Sequence, residues 1–316
     1  EEVQPEVILM DDGFGNVTRT ETRRTYAVMS GQSKVTTVTT STEIDNLDGS
    51  RTISGYEGRS SQSGVVRYSY DDRGRLTEAE EVQPEVILMD DGFGNVTGTE
   101  TRRTYRVING QPKVTTVTTH TEIDNLDGSH TISSHKGVAD FSLRHEGWSS
   151  QDSIVHYTYD DRGRLIGAKE VQPEIILTVD TFGNVSRTET IRSYKLIKGQ
   201  VKSATVTTWA EVDSIDGSKA ITIGKLNYEY DPETTRLIGV ENARLGSGSI
   251  TLNGVTVQYN GGDNEAVTVG VDSFGNCRVS YVENHYLSPE ESKGKTLTEW
   301  TKTTTNFTNV DGLRNQ

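Results

Sequence analysis

"YSYDDRGRLTEA" (Tyr68–Ala79) returns as "YTYDDRGRLIGA" (Tyr157–Ala168) and, loosened, as "YEYDPETTRLIGVENA" (Tyr228–Ala243). Each copy is a hairpin-like phrase: two short alternating runs around a polar turn. A hairpin phrase restated at long intervals makes the chain a repeat array, and repeats govern every later reading.

The repeat extends far beyond the phrase. Residues 1–54 align with 80–133 at a constant offset of 79, and 47 of 54 positions agree. "EVQPE" begins at Glu2, Glu81 and Glu170. "DNLDGS" begins at Asp45 and Asp124, "DSIDGS" at Asp213, and "NVDG" at Asn309. These markers divide the chain into β repeat units 1–79, 80–168 and 169–243, followed by a diverged, incomplete fourth unit, 244–316. The second unit carries about ten extra residues around "VADFSLRHEGW" (Val138–Trp148), which places a surface loop there. The chain opens on "EEVQPEV" without an initiator Met, and the same phrase recurs inside, as expected of a piece of a longer repetitive protein.

Turn chemistry punctuates each unit. The "FGN" turns are Phe14, Gly15 and Asn16; Phe93, Gly94 and Asn95; and Phe182, Gly183 and Asn184. "INGQP" is an Asn-Gly hairpin signal where the first unit has "MSGQS", and "NLDGS" supplies Asp-Gly. Between the turns lie Thr-rich runs. Thr18, Thr20 and Thr22 fall on one face of a strand, with Arg19, Glu21 and Arg23 on the other. No stretch has a helical period with caps. The expected fold is all-β, with about six strands per unit: tandem β-hairpin repeats stacked into an extended or spiralling sheet. Stacked copies bury one another's faces and cover one another's edges, and cross-strand Thr pairs add roughly 0.2–1 kcal/mol each.

Composition narrows the function classes. Apolar residues make up 32% of the 316, too few for a thick core. The net charge of −14 argues against a nucleic-acid partner. A single cysteine, Cys277, excludes a disulfide framework and packs as a small hydrophobe. No run approaches 18 consecutive apolar residues, so no membrane span is expected.

The phrase Tyr-x-Tyr-Asp-x-x-Gly-Arg-Leu resembles the Tyr-Asp repeat of the RHS family. Its residues are Tyr68, Tyr70, Asp71, Gly74, Arg75 and Leu76, then Tyr157, Tyr159, Asp160, Gly163, Arg164 and Leu165. The third copy keeps Tyr228, Tyr230, Asp231, Arg236 and Leu237, but loses the Gly and gains a residue, so its turn must differ. The resemblance implies β-hairpins coiled into a large spiral sheet on secreted or cell-surface proteins, as in insecticidal toxin complexes and teneurins. The longer Thr-rich units also look similar to repeat regions of very large bacterial surface proteins.

Candidate ligand sites have plainer readings beside them. "DNLDGS" and "DDGFGN" offer oxygen ligands for calcium, but lack the spacing of a calcium loop, so no cofactor is expected and calcium is the alternative. Asn16, Asn95, Asn184 and Asn306 stand in glycosylation acceptor triplets, and turn chemistry explains the first three. Five histidines crowd the second unit: His120, His130, His135, His145 and His156. His120 and His130 flank a turn, but Ser41 and Arg51, then Trp209 and Lys219, replace them in the other units, which argues against zinc. Tyr26, Tyr105 and Tyr194 share one repeat position and, with Trp148 and Trp209, offer sugar-stacking platforms; core filling is the plainer reading. "SKGKT" near Lys295 lacks the upstream Gly of a phosphate loop, and no nucleophile elbow is present, so no enzyme is expected. The expected function is structural, as a building block of an extracellular fibre, sheath or adhesive stalk. Its partners are neighbouring repeats or chains, with surface glycan or cell contact in addition. The rivals are a β shell enclosing a toxin or effector, and a carbohydrate-binding adhesin module.

Overall fold

The computed structural model describes residues 4–11, 16–54, 61–133, 148–242, 245–262, 266–287, 298–309 and 314–315. Among them the chain is all β, built of antiparallel hairpins in tandem, with no helix. It divides into two compact units, residues 1–134 with 152–166, and residues 135–151 with 167–316. Phe14, Gly15, His135, His145, the "SKGKT" stretch and most of the extra loop of the second repeat lie outside the described residues.

In the first unit, β1 (Glu6–Asp11) pairs with β2 (Val17–Met29), and β2 with β3 (Gln32–Asp45). Two short strands then share one edge of β3. These are β4 (Arg51–Ser54), opposite Glu43–Asp45, and β5 (Gly64–Tyr70), opposite Thr37–Thr40. The next row is also split: β6 (Leu76–Gln83) pairs with β5, and β7 (Glu85–Asp90) pairs with β4. Then the pattern restarts. β7 pairs with β8 (Val96–Ile108), β8 with β9 (Gln111–Asp124), and β9 with both β10 (His130–Ile132) and β11 (Ser153–Tyr159). One repeat therefore adds four strand rows, β2, β3, β4/β5 and β6/β7, to one sheet. At about 4.8 Å per row this is about 19 Å per repeat. Within this unit, successive repeats extend the sheet edge to edge; the expectation that copies bury each other's faces gives way to edge growth.

The sheet here is thin. Long stretches of β2, β3, β8 and β9 are half-buried on both faces, and Ile53, Ala79 and Ile132 are the buried apolar residues. Buried Ser54 and Ser133 use their hydroxyls to accept the Thr42 and Thr121 backbone N–H groups, at 2.8 and 2.6 Å. The Thr pairs form as expected: Thr25 lies 2.6 Å from Thr37, and Thr104 lies 3.0 Å from Thr115.

After β12 (Leu165–Gln172), the second unit repeats the opening with β13 (Glu174–Val179), β14 (Val185–Ile197) and β15 (Gln200–Asp213). Here the excursion between the β4- and β5-type strands is missing, so they fuse into one strand, β16 (Lys219–Tyr230). β16 pairs with β15 on one edge. On the other it takes β17 (Leu237–Asn242) and β20 (Ala266–Val271). β20 pairs with β21 (Cys277–Tyr286), β21 with β22 (Thr298–Thr308), and β22 with β23 (Arg314–Asn315). Between β17 and β20 the diverged segment inserts a separate hairpin, β18 (Ser247–Leu252) with β19 (Val255–Asn260). Its Ile250, Leu252 and Val257 cluster with Ile221, Ile223, Val267, Val269, Val271 and Val279. This is the chain's one apolar core cluster among the described residues, and Val267 and Val269 have no exposed surface.

The turn phrases that look distinct in sequence are one turn. In "DDRGR" (Asp71–Arg75), the Asp71 N–H bonds the Arg75 carbonyl and the Gly74 N–H bonds the Asp71 carbonyl. "TFGN" after Asp180 and "LDGS" after Asn46 close through the same two bonds. Each is a type I turn followed by a Gly at positive φ, a three-residue hairpin loop with a bulge. Gly74, Gly163, Gly183 and Gly49 have φ of 70°, 74°, 90° and 88°. The third Tyr-Asp copy, one residue longer, puts Thr235 at φ 61° instead. The long hairpins close differently, on two-residue turns with both residues at positive φ: Ser30-Gly31, Asn109-Gly110 and Lys198-Gly199. A β-branched residue at a positive-φ site costs on the order of 1–3 kcal/mol. The Gly74→Val, Gly163→Val double variant is therefore expected to lower the urea midpoint clearly, and an unchanged melt refutes the turn assignment.

Candidate functional site

Three sets of side-chain contacts recur along the array: the first and third brace a single repeat, and the second lies at the junction of one repeat with the next. The first explains the Tyr-Asp phrase. Strands β2 and β3 slip register between Thr25 and Tyr26, and β8 and β9 do so between Thr104 and Tyr105. The second Tyr of the phrase reaches this bulge: Tyr70 Oη donates to the Val35 carbonyl at 2.7 Å, and Tyr159 Oη to Val114 at 2.8 Å. The turn after it is tied to the long-hairpin tip. Ser30 Oγ donates to the Asp72 carbonyl, Asn109 Nδ2 to Asp161 and Lys198 Nζ to Glu233, at 2.8, 2.8 and 2.7 Å. Arg75 and Arg164 close onto Asp71 and Asp160 at 2.7 Å. In the third copy, Lys195 and Lys202 ammoniums lie 5.0 and 5.8 Å from the Tyr230 ring centre. A groove of about 910 Å³ runs between the first Tyr-Asp hairpin and the tip of the second long hairpin, lined by Tyr68, Tyr70, Leu76, Lys34, Asn109 and Pro112.

The second contact explains "EVQPE". Pro84 separates β6 from β7 and has no N–H to give a neighbouring strand. Its carbonyl instead accepts from the Gln62 side-chain amide at 2.7 Å, and Gln62 bridges to Val86 through two backbone bonds. Beside it, the Glu81 carboxylate accepts the Arg103 backbone N–H of β8 at 2.6 Å, where a strand carbonyl would otherwise sit. The Arg103 guanidinium then lies 3.3 Å from both Glu81 and Glu85. The next repeat rebuilds this set with Glu170, Arg192 and Glu174. Burial pushes the Glu81 carboxyl above its usual value of 4.5, against the opposing pull of Arg103.

The third contact joins two turns. The Asn16, Asn95 and Asn184 side-chain oxygens accept the backbone N–H groups of Leu47, Leu126 and Ile215 at 2.9–3.1 Å. The Asn95 and Asn184 amides also bond their own turn aspartates, Asp91 and Asp180. Three acceptor asparagines thus have turn-building roles. Asp91, a ligand candidate for calcium, gives one oxygen to the N–H groups of Phe93 and Asn95 and the other to the Asn95 amide. Phe93 and Leu126 are 77% and 76% exposed at these turns, and Phe182 and Ile215 repeat the apolar pair.

The remaining sequence candidates scatter. His120 and His130 do not face each other: His120 Nδ1 is 3.2 Å from Asp152, while His130 pairs across the hairpin with Asp124. Trp209 packs against the apolar core and donates to Glu211 at 2.9 Å. The more exposed indole is Trp300, stacked on His285 at 5.1 Å, which no repeat pattern marks. Cys277 packs against the apolar core, and burial raises its thiol. No helix among the described residues is long and apolar enough to cross a membrane. No protein-family model matches the chain, and no curated protein is detectably similar to it.

Arg103→Met leaves the half-buried Glu81 and Glu85 carboxylates without their cation, a loss on the order of 1–3 kcal/mol. Glu81→Gln keeps an oxygen for the Arg103 N–H and removes a charge that burial already disfavours, so it is expected to cost less; urea melts that reverse this order overturn the junction assignment.

The turn aspartates contribute to acid sensitivity. Asp71 and Asp160 are held below the usual 3.8 chiefly by the Arg75 and Arg164 backbone N–H groups. Asp91, Asp180 and Asp272 are held below it chiefly by the side-chain amides of Asn95, Asn184 and Asn276. Their folded pKa lies below the unfolded one, so the stability they add is present above 3.8 and lost as pH falls through the folded values. Glu81 has the opposite sign: its contribution is complete in acid and fades as pH rises through its raised value. Melting temperature is expected to fall steeply below about pH 4, and less steeply in Asp71→Asn, Asp160→Asn. Equal slopes in the two proteins count against these turns as the acid-sensitive element.

Proposed function

We propose that this chain is a structural building block of an extracellular fibre, sheath or stalk that grows by adding β repeats to one sheet. A single observation carries the reading. The hexapeptide Glu-Val-Ile-Leu-Met-Asp occurs twice, as β1 and as β7. β7 is sandwiched between β8 and β4. β1, identical in sequence, pairs with β2 and is exposed at every residue, Leu9 and Met10 by 68% and 64%. The two-sided pairing of β7 is how one repeat adds to the sheet of the repeat before it. The β4–β7 pairing supplies the pattern: Arg51, Thr52, Ile53 and Ser54 opposite Asp90, Met89, Leu88 and Ile87. A β4-type strand from another repeat meets β1 in the same register.

The other features support this role. The surface charge of −14 opposes lateral clumping, so edge pairing is the favoured association. The resemblance to Tyr-Asp repeats supports a secreted or cell-surface setting. Electron microscopy of the native material tests the reading. Filaments with an axial repeat of about 19 Å per unit are expected, and Ile8→Lys, a charge on the exposed edge, is expected to shorten them. Closed particles with an internal void overturn the fibre and favour a shell.

A further inference from the structure

Near-identical repeats expose a substitution that changes chemistry at one place. In the first repeat, Arg51 on β4 lies against Glu43 and 3.0 Å from Asp45, both on β3. In the third, Lys219 lies 2.6 Å from Asp213, with Glu211 two residues before it. Both repeats therefore set a permanent cation against the Asp of a Glu-x-Asp pair on one strand face, and in the first repeat it reaches the Glu as well. In the second repeat the cation is replaced by His130. Its Nδ1 is 2.6 Å from Asp124 and its Nε2 is 3.4 Å from Glu122. One donor atom from each of Glu122, Asp124 and His130 lies within 4.8 Å of the other two.

We propose that Glu122, Asp124 and His130 form a binding site for a divalent transition metal of the zinc class. The geometry comes from the hairpin. Glu122 and Asp124 alternate onto one face of β9, and His130 stands opposite Asp124 in the β9–β10 register. An ion bound at about 2.0–2.2 Å needs its ligand atoms within about 4 Å of one another. The 4.8 Å spread of the donor atoms is close to that limit, and the Asp124 side chain is 73% exposed. One imidazole and two carboxylates suit zinc, and water completes the coordination. Calcium and magnesium prefer all-oxygen sets, so the imidazole selects against them. The ion does for the second repeat what the Arg51 guanidinium does for the first: it neutralises the paired carboxylates and clamps the short β10 strand to β9. The exchange of His for Arg and Lys, which in sequence argues against a metal, is in the structure an exchange of one cation for another.

The test uses the whole chain. Calorimetric titration with zinc chloride is expected to show binding that His130→Arg weakens at least about tenfold, with His120→Ala unaffected at this site. His130→Arg recreates the Arg51 arrangement, so it is expected to fold, and its melting temperature without zinc is expected to match that of the wild type with zinc. Zinc binding equal in the wild type and His130→Arg overturns the proposal. So does the absence of binding at about 1 mM zinc, and so does full competition by calcium.

Discussion

Every strand has two edges of N–H and C=O groups, and buried ones left unpaired are costly. That constraint organises this chain more than any core does. The long strands β2 and β3 pair along their whole length, but β3 offers its other edge to two short strands, with an excursion between them. The break is inherited by the next row, where Pro84 divides β6 from β7. At the break the backbone ladder fails, and side chains complete it. Gln62 serves the Pro84 carbonyl, the Glu81 carboxylate serves the Arg103 N–H, and Ser54 serves Thr42. The buried glutamate is tolerable because it accepts a backbone bond and faces a guanidinium; alone, burial would disfavour its charge.

The same constraint explains how so few apolar residues hold so much sheet. Hydrogen-bonded rows and cross-strand hydroxyl pairs run through a layer whose faces are half-exposed, and each adds a small increment. The diverged fourth segment departs from this plan. Its β18–β19 hairpin covers one sheet face and gathers the valines of β20 beneath it. Apolar side chains are concentrated where a second layer exists to cover them, and threonines where none does.

The all-β class, the repeat and the positions of most turns were legible because they depend on local chemistry: period-two alternation, Asn-Gly and Asp-Gly. "INGQP" closes on Asn109 and Gly110 as its residues dictate. What was hidden depends on long-range register. No pattern local to "EVQPE" shows that Glu81 will reach Arg103, 22 residues on, or that Tyr70 will cap Val35. The bulges at Thr25 and Thr104 were equally silent, since a bulge is a mismatch between two strands and belongs to neither sequence alone. His120 and His130 looked alike around their turn, yet register gives one Asp152 and the other Asp124.

Most of the differences between the first two repeats sort by the same logic. Four of the seven changes, at Ala27, Met29, Ser30 and Ser33, lie around the long-hairpin tip, while the "DDGFGN" and "DNLDGS" turns and the "EVQPE" junction are unchanged. The tip has two requirements, a backbone at positive φ and a donor for the Tyr-Asp turn. Ser30, Asn109 and Lys198 meet both with a hydroxyl, an amide and an ammonium, each reaching one turn carbonyl. The junction is stricter, because Pro84 must lack its N–H, Glu81 must span to β8 and Arg103 must neutralise two carboxylates at once. A repeat can vary where one bond has several chemical solutions. It is held fixed where a single side chain completes a row of the sheet.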